Sequence, residues 1–188
     1  EPYRRQRQMC IRDSNKPLDA MRCGIGYLPE DRKRDGIVGD LSVRENIILA
    51  LQVLRGFFHP ISKAEANKFA DEYIKLLDIK TASAETPIKS LSGGNQQKAI
   101  IARELDRNPE IVIAVQPVRG LDVGAIEYIH KQLIEQRDAG KAVLLVSLEL
   151  DEVMNVSDRI IVMYEGEIVA DLDPKKITTE ELGLYMAG

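Results

Sequence analysis

The stretch LSGGNQQKAIIARELDRNPEIVIAV, residues 91–115, decides the fold class. Two glycines among polar residues open a helix whose apolar positions recur at helical spacing. The helix should end before Asn108-Pro109, because the residue that precedes a proline disfavours the helical basin. IVIAV is then a continuous apolar run, typical of a strand buried on both faces of a sheet. A helix that leads directly into such a strand predicts an α/β fold.

Downstream, two further apolar runs, AVLLVS and RIIVMY, are separated from IVIAV and from each other by helical stretches. The alternation predicts a parallel sheet with right-handed crossovers and strands at about 111–115, 143–147 and 159–164. Glu165-Gly166 should turn the last run into a hairpin with EIVADL. Thr178 and Glu181 should cap a closing helix.

Upstream, GIGYLP is interpreted as a strand that ends at Pro29, followed by the charged run EDRKRD. We expect this run to be a solvated loop, or else a contact with another subunit. Ser42 with Glu45 and Ser62 with Glu65 each mark the start of an amphipathic helix. The organisation predicted is an all-helical insert between two pieces of α/β sheet.

Composition narrows the class of protein. The chain has 188 residues, 44% of them hydrophobic and 30% charged, which is typical of a soluble globular domain. Its formal charge of -4 gives no electrostatic footprint for nucleic acid. No stretch has the length of a membrane span, and no signal peptide is evident. Cys10 and Cys23 lack metal-ligand company, which fits a reducing compartment.

Residues 1–14, EPYRRQRQMCIRDS, have no apolar period and contain four arginines. They resemble translated adapter sequence from assembled environmental reads, and the alternative is a native, basic, disordered arm. Without Met at position 1, the chain is expected to be a fragment.

The helix start at residues 92–96 has the chemistry of an anion site. Free backbone N–H groups and the helix dipole attract a phosphate there, and glycine permits its close approach. Taken alone, such a turn is more often only the beginning of a helix. The candidate ligand residues are Ser92, Gly93, Gly94, Asn95 and Gln96.

In its context, LSGGNQQK resembles the LSGGQ-type signature of ABC transporter ATPases. The chain from about Gly24 onward is similar to the second nucleotide-binding domain of the tandem-domain ATPases of simple-sugar and nucleoside importers. The matching strings are GIGYLPEDR, LSVRENI, LSGGNQQK, QPVRGLDVGA and SLELDEV.

The resemblance implies that the signature residues contact the γ-phosphate of an ATP whose P-loop belongs to the opposing domain. Asp122 would be the D-loop carboxylate at the same dimer seam. ATP and Mg²⁺ would be bound mainly by that partner domain. The implied partners are a paired nucleotide-binding domain, transmembrane permease subunits and, indirectly, an extracytoplasmic substrate-binding protein, with the chain peripheral at the cytoplasmic face of the plasma membrane.

Several positions depart from the family pattern. No Walker A string occurs, and the family's order would place one upstream of residue 1. The Walker B acids fall on Val115 and Gln116, the switch histidine on Leu148, and the Q-loop glutamine on Glu30. Because general bases and water-positioning groups are each worth roughly 10²–10⁴ in rate, the site in cis is expected to be slow or inactive. His59 and His130 have no ligand company and are expected to be surface or packing residues.

The resulting expectation is a truncated P-loop NTPase fold with a parallel sheet and an inserted helical subdomain. Its parts are a Q-loop region at residues 15–40, a signature subdomain at 41–107, and the C-terminal half of the ATPase core at 108–188. The function expected is signature donation in an ATP-driven importer of simple sugars or nucleosides, with the fragment alone inactive. The alternatives are a soluble ABC ATPase without a transport role and an α/β module that binds no nucleotide.

Overall fold

The computed structural model of the protein describes residues 16–56 and 58–187. The segment 1–14 and Cys10, for which the sequence makes predictions, lie outside that part of the chain.

Three parallel strands form the central sheet. They are β1 (Ile25–Leu28), β2 (Ile111–Val115) and β3 (Ala142–Val146), in the order β1-β2-β3. The pairing register sets Ile111 opposite both Ile25 and Ala142. The predicted positions of β1 and β2 are confirmed, and β3 begins one residue earlier than predicted.

The helical insert contains three helices between β1 and β2. They are the α-helices α2 (Val43–Arg55), α3 (Lys63–Leu76) and α4 (Gly93–Leu105) of the described residues. A further helix, α1 (Pro17–Arg22), comes before β1, and no sequence pattern predicted it. The capping box of α2 forms in full: the Ser42 N–H donates to Glu45 Oε2 at 2.8 Å, and the Glu45 N–H donates to Ser42 Oγ at 3.2 Å. Its reciprocal bonds fix the point at which the insert leaves the sheet region.

A buried charged cluster joins α4 to β1. Glu104 accepts hydrogen bonds from Arg103 at 2.9 Å and from Arg107 at 3.0 Å. The two arginines also donate to the carbonyls of Gly36 and Ile25, each at 2.8 Å. Because buried charges are tolerated when they are paired and hydrogen-bonded, this cluster holds α4 in a defined position against the sheet.

Helices cover one face of the sheet only. α4 contacts β1, α5 (Val123–Asp138) contacts β3, and the two helices contact each other. The register places Leu28, Ala114 and Leu145 together on this covered face. On the opposite face, Tyr27 is 49% exposed and Leu144 is 54% exposed. The expectation that β2 and β3 are buried on both faces is therefore wrong for this chain, because side chains on the second face, such as Leu144 and Val146, are about half exposed.

The last strand does not pair as predicted. A short helix, α6 (Leu150–Val156), leads to β4 (Ile160–Tyr164), which pairs antiparallel with β5 (Glu167–Leu172) before the closing helix α7 (Thr179–Ala187). The hairpin turn is confirmed, with Glu165 at φ 48° and Gly166 at φ 86°, as a type I′ turn requires. β4 is not hydrogen-bonded to β3, so the predicted third parallel strand is a correction.

A groove of about 700 Å³ separates β3 from β4. Apolar side chains line both of its sides, among them Leu144 of β3 and Met163 of β4, and Met163 is 65% exposed. The facing edges of these two strands bond to no other strand in the described part of the chain, so β4 stands apart from the sheet. In that part there is also no helix long and apolar enough to cross a membrane.

Candidate functional site

The carboxyl ends of the three parallel strands meet at one edge of the sheet, where α/β proteins place their ligands. Glu30 follows β1, Gln116 follows β2, and Leu148 follows β3. The Gln116 N–H donates to the Val146 carbonyl at 2.8 Å, and Gln116 has φ 48°, in the left-handed region. The three predicted positions therefore lie at the same edge of the sheet.

The start of α4 presents a hydroxyl and free backbone donors. Ser92 is the N-cap residue and is exposed, and its Oγ accepts from Asn95 Nδ2 at 2.9 Å. The N–H groups of Gly93 and Gly94 have no hydrogen-bond partner among the residues that the structure describes. With the positive end of the helix dipole, the exposed Ser92 hydroxyl and the Gly93 N–H have the chemistry that a phosphate group requires.

Two of the other predicted ligand residues, Gln96 and Gly94, are buried and make contacts inside the protein. Gln96 is buried and donates to the carbonyls of Leu91 at 3.0 Å and Ile88 at 3.3 Å. Gly94 is buried too, and a Cβ there would lie 2.9 Å from the Ala125 Cβ. The structure therefore gives both residues packing roles. Asn95 joins the turn to the segment after α3, because its Oδ1 accepts from the Lys80 N–H at 2.8 Å.

The loop after β2 lies directly against this turn. Asp122 is exposed and caps α5, with Oδ1 accepting from the Ala125 N–H at 3.0 Å. A Cβ on Gly93 would be 3.3 Å from Leu121 Cδ2. The structure thus brings together Ser92, Gly93 and Asp122, three of the six predicted ligand residues, at one exposed surface.

Sequence reasoning missed two arginines at this surface. Arg119 forms an ion pair with Glu30, so the carboxylate at the Q-loop position has a partner within the chain. Arg32 donates from NH1 to the Arg119 carbonyl at 2.8 Å. The run EDRKRD is therefore solvated only in part, because Arg32 is half-buried whereas Lys33, Arg34 and Asp35 are exposed. The sequence of the run gave no signal for this.

The residues at the Walker B and switch positions do not fit Mg²⁺. Val115 has no donor atom, and Leu148 is a 73% exposed apolar side chain. No group of three or more His, Cys, Asp or Glu side chains that suits a metal ion occurs within residues 16–56 and 58–187. His130 packs as expected, with Nε2 3.1 Å from Glu152 Oε1, and His59 is exposed.

Lys98, the last residue of LSGGNQQK, makes its contacts within the chain. Its Nζ lies 4.7 Å from the centre of the Tyr128 ring and donates to the Asp78 carbonyl at 3.0 Å. Burial, and then the charge of Glu135, raise the pKa of Tyr128 to about 12. The ring is therefore neutral at physiological pH and supports the cation–π contact.

Comparison with known proteins places these features in a family context. A family model described as "ABC transporter" matches residues 6–118. The guanosine import ATP-binding protein NupO of Bacillus subtilis (strain 168) is 52% identical over 92% of this chain and 34% of its own length. The ribose import ATP-binding protein RbsA of Clostridium tetani is 44% identical over 90% of this chain and 34% of its own length.

Among solved structures, one resembles the chain with a TM-score of 0.71 and 27% identity. It is a dimeric, post-hydrolysis ATP-binding cassette bound to ADP and Pi, and the match covers 88% of this chain and 70% of that one. The chain spans about a third of the length of the curated relatives it matches, 34% and 35% for the first two.

Proposed function

The chain belongs to the ABC transporter family, and we propose that it is part of the second nucleotide-binding domain of a longer subunit that powers import of simple sugars or nucleosides. The names of relatives at 52% and 44% identity support the cargo classes. In this role the chain donates its signature turn to an ATP bound by a paired domain.

One observation carries the proposal: the residues suited to contact a phosphate held by another domain are present, whereas those needed to hold Mg²⁺ and activate water in this chain's own site are not. Ser92 is exposed and the Gly93 N–H has no hydrogen-bond partner among the described residues, whereas the side chains of Val115 and Leu148 supply neither a metal ligand nor a base. A domain of this kind is suited to stabilising a phosphate held by another domain rather than to hydrolysing its own nucleotide.

When ATP and Mg²⁺ are held by the paired domain, they supply the phosphoryl group and the charge neutralisation of the reaction. This chain's residues then bind and orient. The Ser92 hydroxyl and the Gly93 N–H hydrogen-bond the terminal phosphate, and Asp122 lies at the seam between the domains. These donors favour the charge that develops in the transition state, and they also exclude water from that side.

The bare apolar face of the sheet and the groove between β3 and β4 support the idea that this is one part of a larger domain. Parallel sheets are normally covered on both faces, and exposed apolar patches are normally covered by a partner. The proposed arrangement places the subunit at the cytoplasmic side of the membrane, against permease subunits that receive cargo from an extracytoplasmic binding protein.

The test uses the full-length subunit reconstituted with its permease in vesicles, with ATP hydrolysis and uptake of labelled ribose and guanosine as readouts. Ser92→Ala should lower both activities roughly 10²-fold, the usual effect of losing a donor to a transition-state oxyanion. Ser90→Ala is the matched control, because Ser90 is exposed two residues away and its hydroxyl donates to the Pro87 carbonyl at 2.7 Å.

Equal effects of the two serine variants would contradict the signature role. Hydrolysis that proceeds at the same rate with and without permease and cargo would contradict the transport role, and would favour a soluble ABC ATPase instead.

A further inference from the structure

The Arg32 guanidinium packs closely against the backbone at Gly93. A Cβ on Gly93 would lie 2.7 Å from Arg32 Nη2 and 3.2 Å from its Cζ, so a side chain there would displace the guanidinium. The guanidinium therefore rests directly on the backbone of the turn that carries Ser92. Gly93 thus admits an arginine as well as a phosphate.

The same guanidinium reaches the loop after β2. NH1 donates to the Arg119 carbonyl at 2.8 Å, and the neighbouring Gly120 has φ 67°, in the left-handed region. Glu30, two residues before Arg32, forms the ion pair with the Arg119 side chain. The loop after β1 therefore holds Arg119 by both its carbonyl and its side chain, three residues before Asp122.

The position of Arg32 has an electrostatic cost that calls for a function. A cation at the start of a helix opposes the positive end of the helix dipole. In addition, Nε of Arg32 is buried and has no hydrogen-bond partner among the described residues. A buried donor without a partner adds to that cost.

We propose that Arg32 is a positioning residue that locks the signature turn at Gly93 to the loop that carries Asp122, so that Ser92 and Asp122 face the paired domain in a fixed relative position. This role rests on the function proposed above. It requires a planar group that packs against the Gly93 backbone while Nη1 donates to the Arg119 carbonyl, and the compact ammonium of lysine lacks that shape.

The experiment measures kcat and KM for ATP in the full-length transporter carrying Arg32→Met or Arg32→Lys. Because the paired domain binds the nucleotide, Arg32→Met should lower kcat roughly 10-fold or more and leave KM within about twofold, since small errors of position are costly in rate. Arg32→Lys, which keeps the charge, should restore less than half of the lost rate. Arg34→Met is the matched control, because Arg34 lies in the same turn with its side chain in solvent and should change neither parameter.

Ser92→Ala, alone and combined with Arg32→Met, separates this inference from the proposed function. If Arg32 acts through the signature turn, the double variant should be about as slow as Ser92→Ala alone, because the two changes damage one device. Multiplied losses would overturn the inference, as would a raised KM with unchanged kcat or full rescue by lysine. A Ser92→Ala variant with normal activity would refute the proposed function itself, whereas a slow Ser92→Ala beside a normal Arg32→Met would refute only the role of Arg32. If the methionine variant does not assemble, the lysine variant decides: normal kcat would overturn the role.

Discussion

Gly94 and Gly124 offer a matched pair of substitutions, because each is the second residue of its helix, in α4 and α5 respectively. A Cβ at position 94 would meet the Ala125 Cβ at 2.9 Å, whereas at position 124 the nearest atom is Asp122 Oδ1 at an ordinary 3.5 Å. Replacing glycine by alanine in a helix gains about 1 kcal/mol in propensity at either position. Overpacking costs about 1–3 kcal/mol and applies only to Gly94→Ala.

The propensity contribution cancels between the two variants, so their stabilities should differ by about 1–3 kcal/mol in favour of Gly124→Ala. Urea unfolding of the 188-residue chain, followed by circular dichroism, measures the difference if the slope with urea is unchanged. The cost of Gly94→Ala should be smaller in an Ala125→Gly background than in the unchanged chain. Equal stabilities of the two glycine variants, or the same cost of Gly94→Ala in both backgrounds, would refute a packing role for Gly94.

Three more predictions concern the cap, the ion pair and the isolated chain. Hydrogen bonds from the Ser42 hydroxyl and N–H lower the pKa of Glu45 below its usual value, so its stabilisation is present above the ordinary carboxyl pKa and is lost as pH falls through the lowered value. Glu45→Gln should flatten the fall in unfolding free energy between about pH 5 and pH 3, and an unchanged acid limb would contradict this. Arg119→Ala should cost at most about 1 kcal/mol, and less in high salt, because its pair with Glu30 is exposed; a salt-independent loss above that value would show a different role. The isolated chain should show no steady-state ATP hydrolysis, and turnover that EDTA abolishes would contradict this.

Local sequence patterns predicted the elements that local chemistry determines. The apolar runs of β1 and β2, the capping box at Ser42 and the helix start at Ser92 depend on residues within a few positions of each other. The pairing of β4 could not be predicted this way, because an apolar run indicates a strand but does not indicate which strand lies beside it.

The contacts inside the candidate site could not be predicted for a similar reason, because they depend on residues that are far apart in the sequence. Arg32 binds a carbonyl 87 residues away, and nothing in the charged run EDRKRD distinguishes the arginine that turns inward. Glycine at a helix start has two uses, phosphate approach and close packing, and only the position of Ala125 shows that Gly94 serves the second. Gln96 appeared to be a ligand because it is polar, yet its amide satisfies carbonyls of its own turn.

The most direct test of signature donation compares Ser92→Arg with Gln116→Ala in the full-length transporter, with permease-stimulated ATP hydrolysis as the readout. Arginine at position 92 fills the space meant for the partner's phosphate and removes hydrogen bonds to a charged group worth about 1.5–3 kcal/mol each, so the rate should fall by about 10-fold or more for each bond. On the proposed function, Gln116→Ala should cost far less, because Gln116 lies beside Val115, whose side chain supplies no metal ligand. A collapse with Ser92→Arg beside a small change with Gln116→Ala is the predicted result. Equal losses, or a larger loss from Gln116→Ala, would contradict the account.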